Sequence, residues 1–231
     1  SILMLYIDAD SAVYSVCFGC KDLSLGSTLD VMDLKLRTII QKFPDHPYVI
    51  VISSRAPTFR AEIAKTVPYK GHRKAEKPQF YEEMRQHLLD KWKAFETVDG
   101  LEADDFIGIH CTNKDILASI DKDMLMINAK GHYNFNRDTL KKVKRNLYFF
   151  FYQLLVGDKA DNIVGLDGIG DKKATELLRG VKLSDMPGIV LSKYIEEFGD
   201  NARARLHENC QLLWILRHPK KGYQHYVKFP E

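Results

Sequence analysis

"LMLYIDADSAVYSVCFG", residues 3–19, is an apolar run that stops at Asp8 and passes directly into a stretch with helical spacing. A short apolar run ending at a carboxylate and followed by a helix reads as one βα unit. The same pattern recurs downstream. "YVIVI" (48–52) stops at Ser53 and "ILASI" (116–120) stops at Asp121. Between these runs lie helix-like stretches: "LDVMDLKLRTIIQKF" (29–43), "KPQFYEEMRQHLLDKWKAF" (77–95) and "ADDFIGIHC" (103–111). Strands alternating with helices predict an α/β fold, a parallel sheet with helices on both faces. In such sheets ligands bind beyond the carboxyl ends of the strands, so acids placed after several strands should converge although they lie far apart in sequence.

From about residue 147 the strand signal fades. The remainder reads as helices: "LYFFFYQLLVG", "DKKATELLRG", "LSKYIEEFG" and "ARARLHENCQLLWILRH", separated by Gly and Pro. The expected organisation is therefore a core over 1–146 and a helical subdomain over 147–231, with no flexible linker, low-complexity tract or internal repeat. The 231 residues are 45% hydrophobic and 11% aromatic, the composition of an ordinary globule. The longest apolar run, "NLYFFFYQLLV" (146–156), contains Asn, Tyr and Gln and is too short for the ~20 residues that span a bilayer. No membrane partner is expected, and the N-terminal stretch lacks the basic leader of a secretion signal. Four cysteines suit a reducing, intracellular setting. The single CxxC, Cys17 and Cys20, has no second pair or His doublet to complete a zinc site, and the histidines lack ligand spacing.

The acids fall into four clusters: Asp8 with Asp10; Glu102, Asp104 and Asp105 in "LEADD"; Asp121 with Asp123 in "SIDKD"; and Asp158 with Asp161 in "GDKAD". Acids in a helix's first turn are common as caps, and "GDKAD" by itself could be a surface turn. Four clusters at strand ends and helix starts are a different matter. Crowded carboxylates repel unless cations hold them, and hard divalent ions such as Mg²⁺ or Mn²⁺ take carboxylate oxygens together with substrate phosphate. Two such ions would activate water and stabilise the leaving oxygen of a phosphodiester.

Net charge is only +3, yet Arg55 to Lys77 holds seven Lys or Arg against two acids. On charge alone that is a solvated face. Further on, "GLDGIGDKKA" (165–174) combines turn-forming Gly165, Gly168 and Gly170 with a helix start at Asp171 and the cations Lys172 and Lys173. Such a hairpin suits contact with a nucleic-acid backbone. Phe149, Phe150, Phe151 and Tyr152 read as core of the helical part.

Taken in order, "YIDADSAVY", "APTFRAEIAKTVPYKGHR", "GLEADD", "SIDKDMLMI" and "GDKADNIVGLDGIGDKKA" resemble the 5′ nuclease family over nearly the whole chain. That family comprises flap endonucleases, bacteriophage 5′-3′ exonucleases and the 5′ nuclease domain of DNA polymerase I; the length is most similar to the compact phage members. The resemblance implies a PIN-like parallel-sheet core, an arch segment over about 55–90, and a helix-hairpin-helix-type subdomain whose hairpin, about 163–175, grips duplex DNA. It implies two ions, Mg²⁺ or Mn²⁺, on Asp8, Glu102, Asp104, Asp105, Asp121, Asp123, Asp158 and Asp161, and K⁺ at the hairpin around Gly165–Gly170. Lys70 and Arg73 would meet the scissile phosphate, with Asp8, Glu102 and Asp121 the principal catalytic acids. Arg60, Tyr69, Gly168, Gly170, Lys172 and Lys173 would contact DNA, Tyr69 by stacking. The substrate implied is duplex DNA with a 5′ end or 5′ flap, acted on by a monomer in the cytoplasm, or in the host cytoplasm for a phage protein.

One position departs from the pattern: Ser53 stands where the family usually has Asp. Two rival readings follow from it. The chain could be a DNA-binding module that has lost its metal chemistry. Alternatively, "YIDADS", "VIVISS" and "VGDKADN" mimic a haloacid dehalogenase-type phosphatase with Asp8 as nucleophile. The phosphatase reading leaves "EADD", "SIDKD", "YKGHR" and "GLDGIGDKKA" without work.

Overall fold

The structure, a computed structural model, describes residues 2–71 and 77–231. In chain order its elements are β1 (Leu5–Asp8), α1 (Ala9–Gly19), α2 (Leu25–Lys42), β2 (Tyr48–Ile52), α3 (Phe59–Ile63), α4 (Tyr81–Asp90), β3 (Phe95–Glu96), α5 (Ala103–His110), β4 (Ile116–Ala118), β5 (Gly131–Asn134), β6 (Thr139–Lys141), α6 (Asn146–Val156), β7 (Gly157–Asp158), β8 (Ile163–Val164), α7 (Asp171–Leu178), α8 (Met186–Phe198) and α9 (Ala202–Leu213). The chain divides into two units: Ser1–Pro57 with Ala75–Lys144, and Thr58–Lys74 with Arg145–Glu231.

In the first unit the described residues form a six-stranded sheet in the order β3-β2-β1-β4-β5-β6. All pairings are parallel except β5 with β6. The chain builds leftwards from β1 to β3 and then returns to place β4 on the other side of β1. The carboxyl ends of β1 and β4 therefore flank the reversal point, where open α/β sheets bind ligands. Leu5, Ile7, Ile50, Ile52, Ile116 and Ala118 are buried in a core shared with α1 and α2. Helix α2 starts where the Ser24 hydroxyl accepts from the Ser27 amide at 3.1 Å, and it buries Thr28, Met32, Leu36 and Ile39 along one stripe.

The expected helix over 77–95 is real only from Tyr81 to Asp90. Phe80 and Lys93, both at positive φ, turn the chain on either side of it, and Phe95 joins the sheet in β3. The hairpin of β5 and β6 had no counterpart in the sequence reading, because "GHYN" and "TLK" are too short and polar to carry a strand pattern.

The second unit is mainly helical, with a core that includes Phe150, Phe151, Leu154, Leu178, Tyr194 and Trp214. Its C-terminal helix stops at Leu213, earlier than the apolar spacing predicts, and an irregular segment follows. Residues 58–71 belong to this unit although the expected boundary assigned them to the core. The Arg60 guanidinium donates to the carbonyls of Leu212 (3.0 Å) and Trp214 (2.7 Å), and the Glu208 carboxylate accepts from the amides of Lys65 and Thr66. The backbone amide of Lys70 donates to the carbonyl of Asp161 at 2.9 Å. These buried polar bonds, rather than an apolar pattern, attach the segment, so no hydrophobic period announced it. Among the described residues no helix is long and apolar enough to cross a membrane.

Candidate metal centre and nucleic-acid contacts

Strand β1 delivers Asp8 to the reversal point, where it also caps α1. Asp8 is 2% exposed. Its Oδ2 accepts from the Ser119 hydroxyl at 2.6 Å, and the same hydroxyl oxygen accepts from the Asp121 amide at 3.0 Å. Ser119 thus links the ends of β1 and β4, which the register Ile7↔Ala118 brings level. Burial, reinforced by the charges of Asp10 and Asp121, pushes the Asp8 carboxyl up to about 7. A buried acid disfavoured by neighbouring acids is a group that a cation would relieve.

Asp10, in the first turn of α1, faces the end of β2. Both its oxygens are held by Ser53: the amide donates to Oδ1 at 3.1 Å and the hydroxyl to Oδ2. The Ser53 oxygen in turn accepts from the Ala103 amide at 2.7 Å, at the first residue of α5. Buried Arg85 braces this corner by donating to the Ser53 carbonyl at 2.8 Å. Ser53 therefore organises a carboxylate from α1 and the start of the helix that carries the next acid cluster.

That cluster is compact. Glu102 and Asp105 form a reciprocal capping box, with the Glu102 amide donating to Asp105 Oδ2 at 3.3 Å. One carboxylate oxygen each from Glu102, Asp104 and Asp105 lies within 4.8 Å of the others, and Asp105 is fully buried. The capping role is real, but it accounts for two of the three carboxylates and leaves Asp104 outside the box. Asp121 caps the short 3₁₀ turn Lys122–Met126 by accepting from the Asp123 amide at 2.9 Å. The first unit thus gathers Asp8, Asp10, Asp121 and Asp123 at the carboxyl ends of β1 and β4, with Glu102, Asp104 and Asp105 at the start of α5. These donors are oxygens only, a set that fits hard ions such as Mg²⁺ or Mn²⁺ better than zinc. Cys17 and Cys20 are buried in the core.

In the second unit Asp158 Oδ1 accepts from the amides of Ala160 (2.9 Å) and Asp161 (3.3 Å), folding "GDKAD" into a tight turn. The loop carrying "VPYKG" docks on that turn. Tyr69 donates its hydroxyl to Asp161 Oδ2 at 3.2 Å, Lys70 Nζ lies 3.8 Å from Asp161 Oδ1, and the Asn162 side chain donates to the Pro68 carbonyl at 2.8 Å. The structure thus joins Tyr69 and Lys70 to the second acid pair, ninety residues away in sequence. Lys70 sits at φ +55, a left-handed conformation that a lysine adopts only when the surroundings fix it.

Arg60 requires a correction. It is 2% exposed, with its guanidinium on the Leu212 and Trp214 carbonyls, so it braces the fold and does not present charge to DNA. Arg73 lies outside the described residues. Gly168, Gly170, Lys172 and Lys173 are all exposed at the start of α7, on a loop anchored by buried Leu166 and Ile169. Gly168 has φ +69, whereas Gly170 has an extended backbone open to any residue. Phe150 and Phe151 are core as expected. Ser119 escaped the sequence reading. Its place two residues before Asp121 was visible, but its bond to Asp8 depends on strand pairing.

No family model matches the chain. DNA polymerase I of Pseudomonas aeruginosa is 26% identical over 208 residues, covering 77% of this chain and 22% of the polymerase. A 5′-3′ exonuclease of Mycoplasma genitalium is 28% identical over 211 residues, 76% of this chain and 71% of that protein. The chain therefore spans about a fifth of the polymerase and most of the exonuclease. Among solved structures, T5 5′-exonuclease with divalent metal ions (zinc) bound has a TM-score of 0.63 at 16% identity, covering 91% of this chain and 86% of that one. The α/β fold is shared with T5 5′-exonuclease. By sequence the chain is similar to 5′-3′ exonucleases and to part of DNA polymerase I, and by fold to T5 5′-exonuclease.

Proposed function

We propose that the chain is a divalent-metal-dependent nuclease that hydrolyses DNA phosphodiesters near a 5′ end, as a 5′-3′ exonuclease or 5′ flap endonuclease. The observation that carries this reading is the buried Asp8, ringed by Asp10 and Asp121 at the reversal point of the sheet. Its likeness to exonucleases and polymerase I supports the substrate class.

Asp8, Glu102, Asp104, Asp105, Asp121 and Asp123 are the residues of the first unit that would hold the ions. The resemblance adds Asp158 and Asp161 from the second. Bound divalent ions supply Lewis acidity: they activate water and neutralise charge on a leaving oxygen. The chain's own part is positional. Ser119 and Ser53 hold Asp8 and Asp10 in place, and Lys70, pinned through Asp161, brings a cation to a phosphate. Tyr69 offers a ring to a terminal base. The hairpin at Gly168–Lys173 offers amides and two lysines to the duplex backbone, with K⁺ near Gly165–Gly170 as a further link. We place the protein in the cytoplasm, acting as a monomer.

A phosphatase reading gains nothing from the site: Asp8 is enclosed, and the Ser53 hydroxyl is engaged with Asp10. The test is cleavage of 5′-labelled flap and blunt duplexes in Mg²⁺ against EDTA, with Asp121→Asn as control. We expect Mg²⁺-dependent cutting that falls by at least ~100-fold in the variant, the scale of losing transition-state charge stabilisation. Tight binding without cutting by the parent chain would move the assignment to a DNA-binding module.

A further inference from the structure

Beyond α9 the chain runs irregularly from Trp214 to Phe229, yet it is firmly fixed. Trp214, Tyr223 and Val227 are buried. The Phe150 ring meets Trp214 edge-on at 5.0 Å, Tyr226 stacks on Trp214 at 5.4 Å, and Phe229 packs on Tyr223 at 6.4 Å. A segment whose only regular structure is a short 3₁₀ turn, Tyr223–His225, is ordinarily mobile. Here an aromatic anchor every few residues has already met the ordering cost, which is what a preorganised binding surface requires.

What this segment displays is charge of one sign. Between Glu208 and Glu231 there is no acid, while Arg217, Lys220, Lys221 and Lys228 carry four positive charges. The whole chain nets only +3, so the rest is close to neutral. A solvated face normally mixes signs, with carboxylates one helical turn from lysines. Among the described residues, Lys220, Lys221 and Lys228 have no carboxylate partner. Instead Lys228 Nζ donates to the Gln224 carbonyl at 2.7 Å, and Lys221 Nζ lies 3.4 Å from His225 Nε2. Arg217 stacks over Trp214 at 5.1 Å and over Tyr226 at 5.6 Å. Three lysines on a rigid support, none with a carboxylate partner among the described residues, favour an anionic partner.

We propose that this segment is a second nucleic-acid contact surface, separate from the hairpin at Gly168–Lys173 and reading the phosphate backbone of duplex DNA rather than its bases. The proposal rests on the nuclease reading and extends it. Flexible lysines act as point charges toward phosphates and carry no base code. A membrane surface is disfavoured, because none of the exposed large apolar residues falls between 214 and 229, whereas interfacial segments insert such groups.

The test measures duplex affinity in EDTA across a range of KCl for the full chain, for K220Q/K221Q/K228Q and for K172Q/K173Q. Each lost phosphate contact lowers the salt slope by ~0.9, so the triple variant should lose about 2–3 from the slope while still cutting saturating substrate in Mg²⁺. A triple variant with the parent's slope and affinity would overturn the proposal; loss in K172Q/K173Q alone would leave the nuclease reading standing. A triple variant that binds duplex normally but loses affinity for polyglutamate would assign the surface to an acidic protein, against the proposal. A parent chain that neither binds nor cuts duplex would overturn the nuclease reading, and this inference with it.

Discussion

Asp8 concentrates the chemistry of the site into one titration. Burial first, then the charges of Asp10 and Asp121, raise its carboxyl from 3.8 to about 7. The folded state therefore holds its proton over a range in which the unfolded chain has lost it. With EDTA present, the Asp8 contribution should make stability fall as pH rises from about 4 to 7 and then level off. Added Mg²⁺ should reverse that loss above pH 7, with apparent Mg²⁺ affinity climbing across the same window; thermal melts against pH, with and without the ion, read both. Flat Mg²⁺ affinity from pH 5 to 8 would exclude Asp8 as a ligand. Ser53 gives a second prediction. Ser53→Ala removes the hydroxyl shared by Asp10 and the Ala103 amide, and should cost about 1–2 kcal/mol and weaken Mg²⁺ binding several-fold. Ser53→Asp places a carboxylate against Asp10 and should change the Mg²⁺ dependence of cleavage. An unchanged Mg²⁺ dependence and rate would mean that position 53 has no part in metal binding. The acids themselves were legible, since each follows an apolar run or opens a helix. Their hydroxyl partners were not, because what Ser119 and Ser53 touch is decided by strand register and not by neighbours in sequence.

Among the elements, the hairpin before α7 and the Asp33 bonds that tie α2 to α4 and the residues after it each answer to a substitution. Gly168 sits at φ +69 with nothing near its missing Cβ, while Gly170 is extended and equally open. Gly168→Ala should cost about 1 kcal/mol through backbone strain alone and loosen duplex binding; Gly170→Ala should leave the melting temperature within about one degree. Equal effects would show that the hairpin conformation differs from the one described. Asp33, buried on α2, accepts from Trp92 Nε1 at 2.7 Å and Lys91 Nζ at 2.6 Å, and pairs with His87 Nε2 at 2.7 Å on α4. Burial works to raise its carboxyl, but these bonds outweigh it and hold it down at about 2. Such a lowered acid contributes stability above about pH 4 that is lost as pH falls through 2. Asp33→Asn should cost about 2–3 kcal/mol in a denaturant melt at pH 7, and much less near pH 2. At this scale the sequence located β2 to the residue, but it overran α4 and α9. Apolar spacing continued past the points where Lys93 turns at positive φ and Trp214 turns inward to pack on Phe150. Periodicity reports which residues are apolar, not where the backbone must turn.

For the molecule as a whole, the sequence conveyed the α/β class, the later helical part and the edge at which acids collect. It missed that the second unit is discontinuous. A continuous boundary near 146 was the natural expectation, because composition changes there, whereas the attachment of residues 58–71 rests on a few buried polar bonds that no window of sequence displays. Arg60 precedes its acceptor Leu212 by 152 residues. On a translating ribosome, the loop bearing Tyr69 and Lys70 therefore leaves the exit tunnel long before the carbonyls that receive its arginine have been made. The second unit cannot close until synthesis has passed Trp214, and until then a guanidinium meant for the interior must wait in water.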